Sequence, residues 1–270
     1  METIGFVGAG NMAEALIRGV ILGHVYRPGN IFISDVRPER LAQMAEKYGV
    51  VPVESNAQLA QQSEILVLSV KPQNMRDALE SIKGHLQDDA LIISIVAGKR
   101  IADITAVLGD MAVVRVMPNT PALIDEGASA LFANDKANSK RERARLIFLC
   151  VGKSLMLESE ELIDAVTAVS GSGPAYYFVM MHHMIQAGVE LGLPDDFAKA
   201  LVLQTAKGAA LLAEQADREG ETPTDLARKV ATPGGTTEAA CNVFEEAGFE
   251  AMISRALRRA AERSRELSQG

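Results

Sequence analysis

GFVGAGNMAEAL, residues 5–16, places Gly8, Gly10 and Ala13 at G-x-G-x-x-A spacing, directly after an apolar run and at the opening of an amphipathic segment. In a strand–turn–helix setting each small residue has a task. Gly8 permits the tight turn, Gly10 lets a pyrophosphate come close to the backbone, and Ala13 lets the helix pack tightly on the sheet. The helix start, Asn11 and Met12, then faces the phosphates. A dinucleotide is the expected ligand of this turn.

Outward from there, β-branched runs alternate with helical patterns. TIGFVG (3–8), NIFISD (30–35), EILVLSV (64–70), ALIISIV (90–96) and AVVRVM (112–117) are separated by amphipathic segments near 11–23, 37–48, 72–84 and 100–108. Continuous apolar strands of this kind suit a parallel sheet covered on both faces and joined by right-handed crossovers. Two further strands, near 128–133 and 153–157, flank a charged helix at 138–149 and extend the sheet. After Glu160 the strand signal ends, and Ala, Leu and Met recur at helical spacing between Gly/Pro breaks at 171–174, 192–194, 220–223 and 233–235. The expected architecture is α/β, with a Rossmann-type doubly wound sheet in residues 1–160 and an all-helical dimerisation domain in residues 161–270. Segments 176–192 and 197–216 are apolar around much of their circumference, which predicts that they pack against a second copy. ALRRAAERSREL (256–267) reads as a solvated helix face.

Composition narrows the function. The chain of 270 residues carries 27 Lys and Arg against 35 Asp and Glu, a net charge of −8, with no long run of one sign. That argues against nucleic acid or an anionic membrane as principal partner. Cys150 and Cys241 are far apart and have no His or Cys neighbours at metal-site spacing, so neither a disulfide framework nor a zinc centre is expected. No apolar run reaches the roughly 18 residues of a membrane span and no signal segment is evident. A cytoplasmic enzyme acting on a small molecule is the expectation.

The ends of the strands supply cofactor candidates. The second run ends in SDVRPER (34–40), about 20 residues past the fingerprint, where Asp35 could accept from ribose hydroxyls and favour NAD, while Arg37 or Arg40 could meet a 2′-phosphate and favour NADP. Ser34 and the two arginines supply donors and tilt the reading toward NADP(H). EILVLSV runs on into Val70, Lys71 and Pro72, placing Lys71 either at ribose or phosphate oxygens or simply in solvent before a Pro-initiated helix. Ala97 and Gly98 close the ALIISIV strand. Asn119, after AVVRVM, offers an amide to a nicotinamide carboxamide, or forms an Asx-turn before Pro121.

A proton-transfer partner is harder to find. His24, His85, His182 and His183 all fall in helical or turn contexts away from the strand ends, and the 182–183 pair sits among methionines as a packed pair would. What remains is two glycine-bearing helix starts, SGSGPAYY (170–177) with Ser172 and Gly173, and ATPGGTTEAA (231–240) with Thr232, Gly234, Gly235, Thr236 and Thr237. Free amides and hydroxyls at such starts suit a small carboxylate. The implied substrate is one whose electrophile is already activated: a cyclic imine bearing a carboxylate protonates to an iminium and needs placement more than proton abstraction.

GFVGAGNMAEAL, VKPQ, MPNTPALIDEGASAL, AVSGSGPAYYF and TPGGTTEAA, in this order over practically the whole chain, resemble the pyrroline-5-carboxylate reductase family. The resemblance implies a helical domain interlocked with a second subunit, in a homodimer that assembles into a decamer. It also implies NAD(P)H-dependent reduction of L-1-pyrroline-5-carboxylate to L-proline. Carried onto this chain, Thr237 would bond the imine nitrogen and the Gly234–Gly235–Thr236 backbone would hold the carboxylate. Asn56 and Lys71 would serve the adenosine side, with Ala97 and Asn119 nearer the nicotinamide. Cys241 departs from the aliphatic residue usual in the last motif. Two other readings differ in what they predict. A β-hydroxyacid dehydrogenase relative would carry a lysine in the first helix after the boundary, which 171–188 lacks; a non-catalytic sensor would bind NAD(P)H without turnover.

Overall fold

The computed structural model describes residues 2–269. Among them, β1 (Ile4–Val7), β2 (Ile31–Ser34), β3 (Val51–Pro52), β4 (Ile65–Leu68), β5 (Leu91–Ser94), β6 (Ala112–Met117), β7 (Gly127–Ala133) and β8 (Gly152–Met156) form one sheet. The strand order is β3-β2-β1-β4-β5-β6-β7-β8. Pairing is parallel from β3 to β6, antiparallel between β6 and β7, and parallel again between β7 and β8. Order reverses between β1 and β4, where a doubly wound sheet opens a crevice at its carboxyl ends.

The apolar runs give this sheet because they are buried on both faces. In β4 every residue is buried, with Ile65 and Val67 in one core cluster and Leu66 and Leu68 in the other. The period of two does the sorting. The first cluster is covered by α1 (Asn11–Leu22), α2 (Pro38–Tyr48) and α6 (Arg141–Leu149), through Leu16, Ile17, Met44, Ile147 and Phe148. The second is covered by α3 (Asn56–Gln62), α4 (Met75–Ile82) and α5 (Ile101–Leu108), through Leu59, Leu79 and Ile104.

Two elements, β3 and α3, were not expected from sequence. A two-residue strand has no periodicity, and α3 is short and glutamine-rich, held by Ser55, whose hydroxyl accepts the Gln58 amide at its start. Its tightness is fixed by Gly5: a Cβ there would lie 2.3 Å from Ser63 Oγ and 2.4 Å from Leu59 Cδ2.

Beyond β8 the described chain is helical: α7 (Leu162–Val166), a π-helical turn at Thr167–Gly171, α8 (Gly173–Glu190), α9 (Asp195–Arg218), α10 (Pro223–Val230), α11 (Thr236–Glu246) and α12 (Phe249–Gln269). By compactness the chain divides into two units. One unit comprises residues 1–174 and 259–270, the other residues 175–258. Residues 162–174 stay with the sheet because α7 packs on β6 and β7 with Ile163 buried. The end of α12 joins that unit as well. Ser264 is buried and its hydroxyl donates to buried Asp164 at 2.6 Å, while Leu267 meets Gly98. The solvated reading of 256–267 therefore holds only for the face where Arg259 and Arg263 pair with Glu266. Small residues hidden in an Arg/Glu pattern do the packing.

The 175–258 unit leaves much apolar surface uncovered. Tyr177, Phe178, Leu201, Leu211, Leu212, Val243 and Phe244 are exposed, as are His182 and His183, which are not packed in the core of a single chain.

Candidate active site

At the carboxyl ends of β1, β2 and β4, a cleft of about 1230 Å³ is lined by Gly8, Gly10, Asn11, Ser34, Asp35, Arg37, Asn56, Val70 and Lys71 together with Glu54 and Asp77. The strand–turn–helix segment shapes its floor. Gly8 has φ +94° and a Cβ there would lie 2.8 Å from the Ser69 carbonyl oxygen, so only glycine fits. Gly10 is different: its backbone is ordinary and nothing lies within 4 Å of where its Cβ would be. The space beside Gly10 is therefore open to a ligand, and α1 begins there without a side-chain cap, leaving its first amides available. An open cradle at the positive end of a helix fits a dinucleotide pyrophosphate.

Asp35 is not waiting for a ribose. Its carboxylate accepts the Ala9 amide at 2.8 Å and is held by Arg37 Nε at 2.9 Å and Nη2 at 3.1 Å. Burial favours its neutral form, but the Arg37 guanidinium and the amides of Ala9 and Arg37 outweigh this and keep the carboxyl below the usual range. The Asp35 side chain is 8% exposed against 52% for Arg37. The cleft thus presents a neutralised carboxylate behind an accessible guanidinium. Arg40, a sequence candidate for the 2′-phosphate, is employed elsewhere: it donates to the Ala9 carbonyl at 2.7 Å and pairs with Glu14. Burial pushes the Glu14 carboxyl up, yet Arg40, Lys47 and Tyr48 overcome it and bring the group down to about 2. Ser34 donates to Asn56 Oδ1 at 2.6 Å and Asn56 Nδ2 donates to Ser81 at 2.9 Å, which ties β2 to α3 and α4 along the cleft wall.

Several expected residues do not line this cleft. Ala13 is fully buried under the sheet, the packing task its size predicted, and Met12 packs partly against the same core. Pro72 opens a 3₁₀ turn (Pro72–Asn74) below Lys71, which is exposed. Ala97 is exposed, and Gly98 at φ +68° packs on Leu267. Asn119 makes no Asx-turn, since its side chain caps nothing locally. It accepts the Ala128 amide at 2.8 Å and donates to Ser170 instead.

The two glycine-bearing starts lie in different compact units. Ser170, Ser172 and Gly173 end the π-helical turn and open α8, with the Ser172 amide donating to the Thr167 carbonyl at 2.8 Å. In the other unit, Thr232, Gly234 and Gly235 connect α10 to α11. Gly234 has φ +72°, and a Cβ on Gly235 would lie 2.7 Å from Thr232 Oγ1 and 2.9 Å from the Thr232 carbonyl oxygen, so glycine suits the first position by its backbone and the second by the close approach of Thr232. Their amides are already used: Gly235 donates to the Thr232 carbonyl at 2.9 Å and Gly234 to Glu238 Oε2 at 2.7 Å. This corrects the expectation that the two glycines present free donors. Glu238 was missed from sequence, although a glutamate three residues past an N-cap is the signal of a back-reaching cap. Donors for an anion are instead the first-turn amides of Thr236 and Thr237, at a helix start whose N-cap Gly235 has no side-chain cap.

Comparison with known proteins adds to this geometry. The family model described as pyrroline-5-carboxylate reductase dimerisation matches residues 160–267, and the one described as NADP oxidoreductase coenzyme F420-dependent matches residues 3–98. The chain is 45% identical over 268 residues to a Pseudomonas aeruginosa pyrroline-5-carboxylate reductase, covering 98% of this chain and 97% of that protein. It is 36% identical to pyrroline-5-carboxylate reductase 2 of Bacillus subtilis, covering 100% and 96%. Among solved structures, a pyrroline-5-carboxylate reductase from Coxiella burnetii superposes with TM-score 0.92 at 35% identity, covering 99% of this chain and 98% of that one. A Plasmodium falciparum pyrroline carboxylate reductase with NADP bound superposes with TM-score 0.86 at 30% identity, with the same coverage.

Proposed function

The chain belongs to the pyrroline-5-carboxylate reductase family, and from that membership we infer its chemistry: it is an oxidoreductase that reduces 1-pyrroline-5-carboxylate to proline with a nicotinamide cofactor. When bound, the cofactor supplies the hydride that reduces the C=N bond. Residues 1–160 form the module we assign to it, with Gly8, Gly10 and Asn11 at the pyrophosphate, Ser34, Arg37, Asn56 and Lys71 toward the adenosine, and Ala97 and Gly98 toward the nicotinamide. NADP(H) is preferred in this reading, because Arg37 is accessible at the cleft while Asp35, already neutralised, offers little repulsion to a 2′-phosphate.

Residues 161–270 are assigned to substrate binding and dimerisation. The first-turn amides of Thr236 and Thr237, backed by the helix dipole, hold the ring carboxylate. The turn is braced by Thr232, Gly234, Gly235 and Glu238. Thr237 Oγ1 accepts the iminium N–H, orienting the imine carbon, and Ser172 and Gly173 at the start of α8 are assigned to substrate binding as well. No ionisable side chain is assigned a proton, since the iminium arrives protonated and the product nitrogen keeps that proton. The apolar surface of residues 175–258 supports a homodimer, and a decamer built on it is the further assembly in this proposal. The free cysteines Cys150 and Cys241 favour a cytoplasmic setting, and no helix among the described residues is long and apolar enough to cross a membrane.

One observation carries this reading: identity of 45% to a pyrroline-5-carboxylate reductase over 98% of the chain. The test is a steady-state assay with pyrroline-5-carboxylate and either NADPH or NADH, scored by proline formed. Proline appearing in step with cofactor oxidation is expected; cofactor binding without turnover overturns it.

A further inference from the structure

We infer that Asn119 is a positioning residue for the substrate side rather than a cofactor contact: its amide clamps the π-helical turn Thr167–Gly171 to the loop after β6 and thereby fixes the start of α8. This rests on the reading above, in which Ser172 and Gly173 open the helix that serves the substrate.

The donor inventory makes the argument. A carboxamide has one carbonyl oxygen and two N–H donors. Asn119 Oδ1 faces the Ala128 amide at 2.8 Å, and a backbone N–H can only donate, which fixes the orientation of the side chain. Nδ2 then points at Ser170, 3.3 Å from its carbonyl oxygen and 3.2 Å from its hydroxyl. The carboxamide is thus engaged at both ends, Oδ1 by Ala128 and Nδ2 by Ser170, and a nicotinamide carboxamide would have to compete with these partners.

The turn being held is itself an unusual one. The Ser172 amide closes an i→i+5 bond to the Thr167 carbonyl, and the Thr167 hydroxyl donates to the Ile163 carbonyl at 2.7 Å. Such turns are rare and concentrate at functional sites. The turn also packs against the same strand–loop segment: Gly171 lies on the side chain of Met117, the last residue of β6, whose Cε is 2.5 Å from where a Cβ would stand. Two residues later in that strand–loop segment comes Asn119. Contact and hydrogen bonds converge on one short stretch, and what they locate is the entry to α8.

The experiment compares wild type with Asn119→Ala, Ser170→Ala and the double variant, reading NADPH affinity by titration calorimetry, KM and kcat for pyrroline-5-carboxylate, and the unfolding midpoint. The expected result is an NADPH Kd within about twofold of wild type throughout, with KM for pyrroline-5-carboxylate raised about five- to tenfold in Asn119→Ala. The double variant should be no worse than Asn119→Ala alone, because the two residues share one contact. An NADPH Kd raised about tenfold by Asn119→Ala but untouched by Ser170→Ala, or additive losses in the double variant, overturns the proposal. Should Asn119→Ala fail to fold, Asn119→Asp keeps the acceptor for the Ala128 amide while removing the donor, and the same outcomes are read from it. Wild type that binds NADPH but never turns over pyrroline-5-carboxylate defeats the functional reading and this proposal with it; an active wild type with the reversed Kd pattern defeats this proposal alone.

Discussion

Substituting Gly10 by alanine separates folding from cofactor binding. Gly10 has φ −72° and ψ −176°, a conformation alanine adopts freely, and no atom lies within 4 Å of the added Cβ. The folded protein therefore accepts the methyl group, and loss of a glycine from the unfolded ensemble adds about 0.4–1 kcal/mol of stability. An unfolding midpoint unchanged or raised by at most about 3 °C follows. Binding suffers because the methyl fills the space assigned to the pyrophosphate. Forcing a methyl into an occupied contact costs about 1–3 kcal/mol, or about 5- to 150-fold in Kd. Titration calorimetry with NADPH, alongside calorimetric melting of the same samples, reads both effects. Gly8→Ala is the contrast, since φ +94° and a 2.8 Å approach to the Ser69 carbonyl should lower stability and affinity together. Unaltered NADPH affinity in Gly10→Ala would mean that the phosphates do not pass this residue. A sharply lowered midpoint would mean that the space is not open.

Three further outcomes are expected. Thr237→Ala should lower kcat for pyrroline-5-carboxylate about tenfold or more, the loss of one hydrogen bond to a charged group worth about 1.5–3 kcal/mol, while the NADPH Kd stays near wild type; an unchanged kcat removes Thr237 from the mechanism. Arg37→Ala should shrink the ratio of kcat/KM for NADPH over NADH by about tenfold, and an unchanged ratio would place the 2′-phosphate elsewhere. The Glu14 carboxyl is held down from 4.5 to about 2 in the folded state, so its contribution to stability is full above the unfolded value and is lost as pH falls between those two figures. Denaturant unfolding at about pH 7 and about pH 3 should show Glu14→Gln losing less stability on acidification than wild type; an equal loss would assign the acid sensitivity to other groups.

Most of the α/β frame was legible because buried parallel strands and their crossovers write their own periodicity, as ILVL in β4 and the glycine fingerprint before α1 do. Elements without a period were not: β3 has two residues, and α3 is fixed by Gly5 and Ser55 rather than by an apolar stripe. At the candidate site the residue types were foreseen better than their partners. Asp35 and Arg37 were read as rivals for a ribose or a phosphate, whereas they hold each other beside Ala9. Gly234 and Gly235 were read as free donors, but Glu238 and Thr232 take their amides. Asn119 and Ser170 are 51 positions apart, and Asp164 and Ser264 are 100 apart, separations at which no local pattern announces a bond. Such pairs belong to the packing and become visible only in the fold.

The claim at the centre of this account is that an uncapped helix start and a threonine hydroxyl suffice to place the imine, with no side chain trading a proton during reduction. The pH dependence of kcat for pyrroline-5-carboxylate, repeated with a ring-substituted imine of different basicity, tests it most directly. The account predicts that the limb of the profile moves with the basicity of the substrate nitrogen. A limb that stays at the same pH for both substrates would belong to an ionising group of the protein and contradict it.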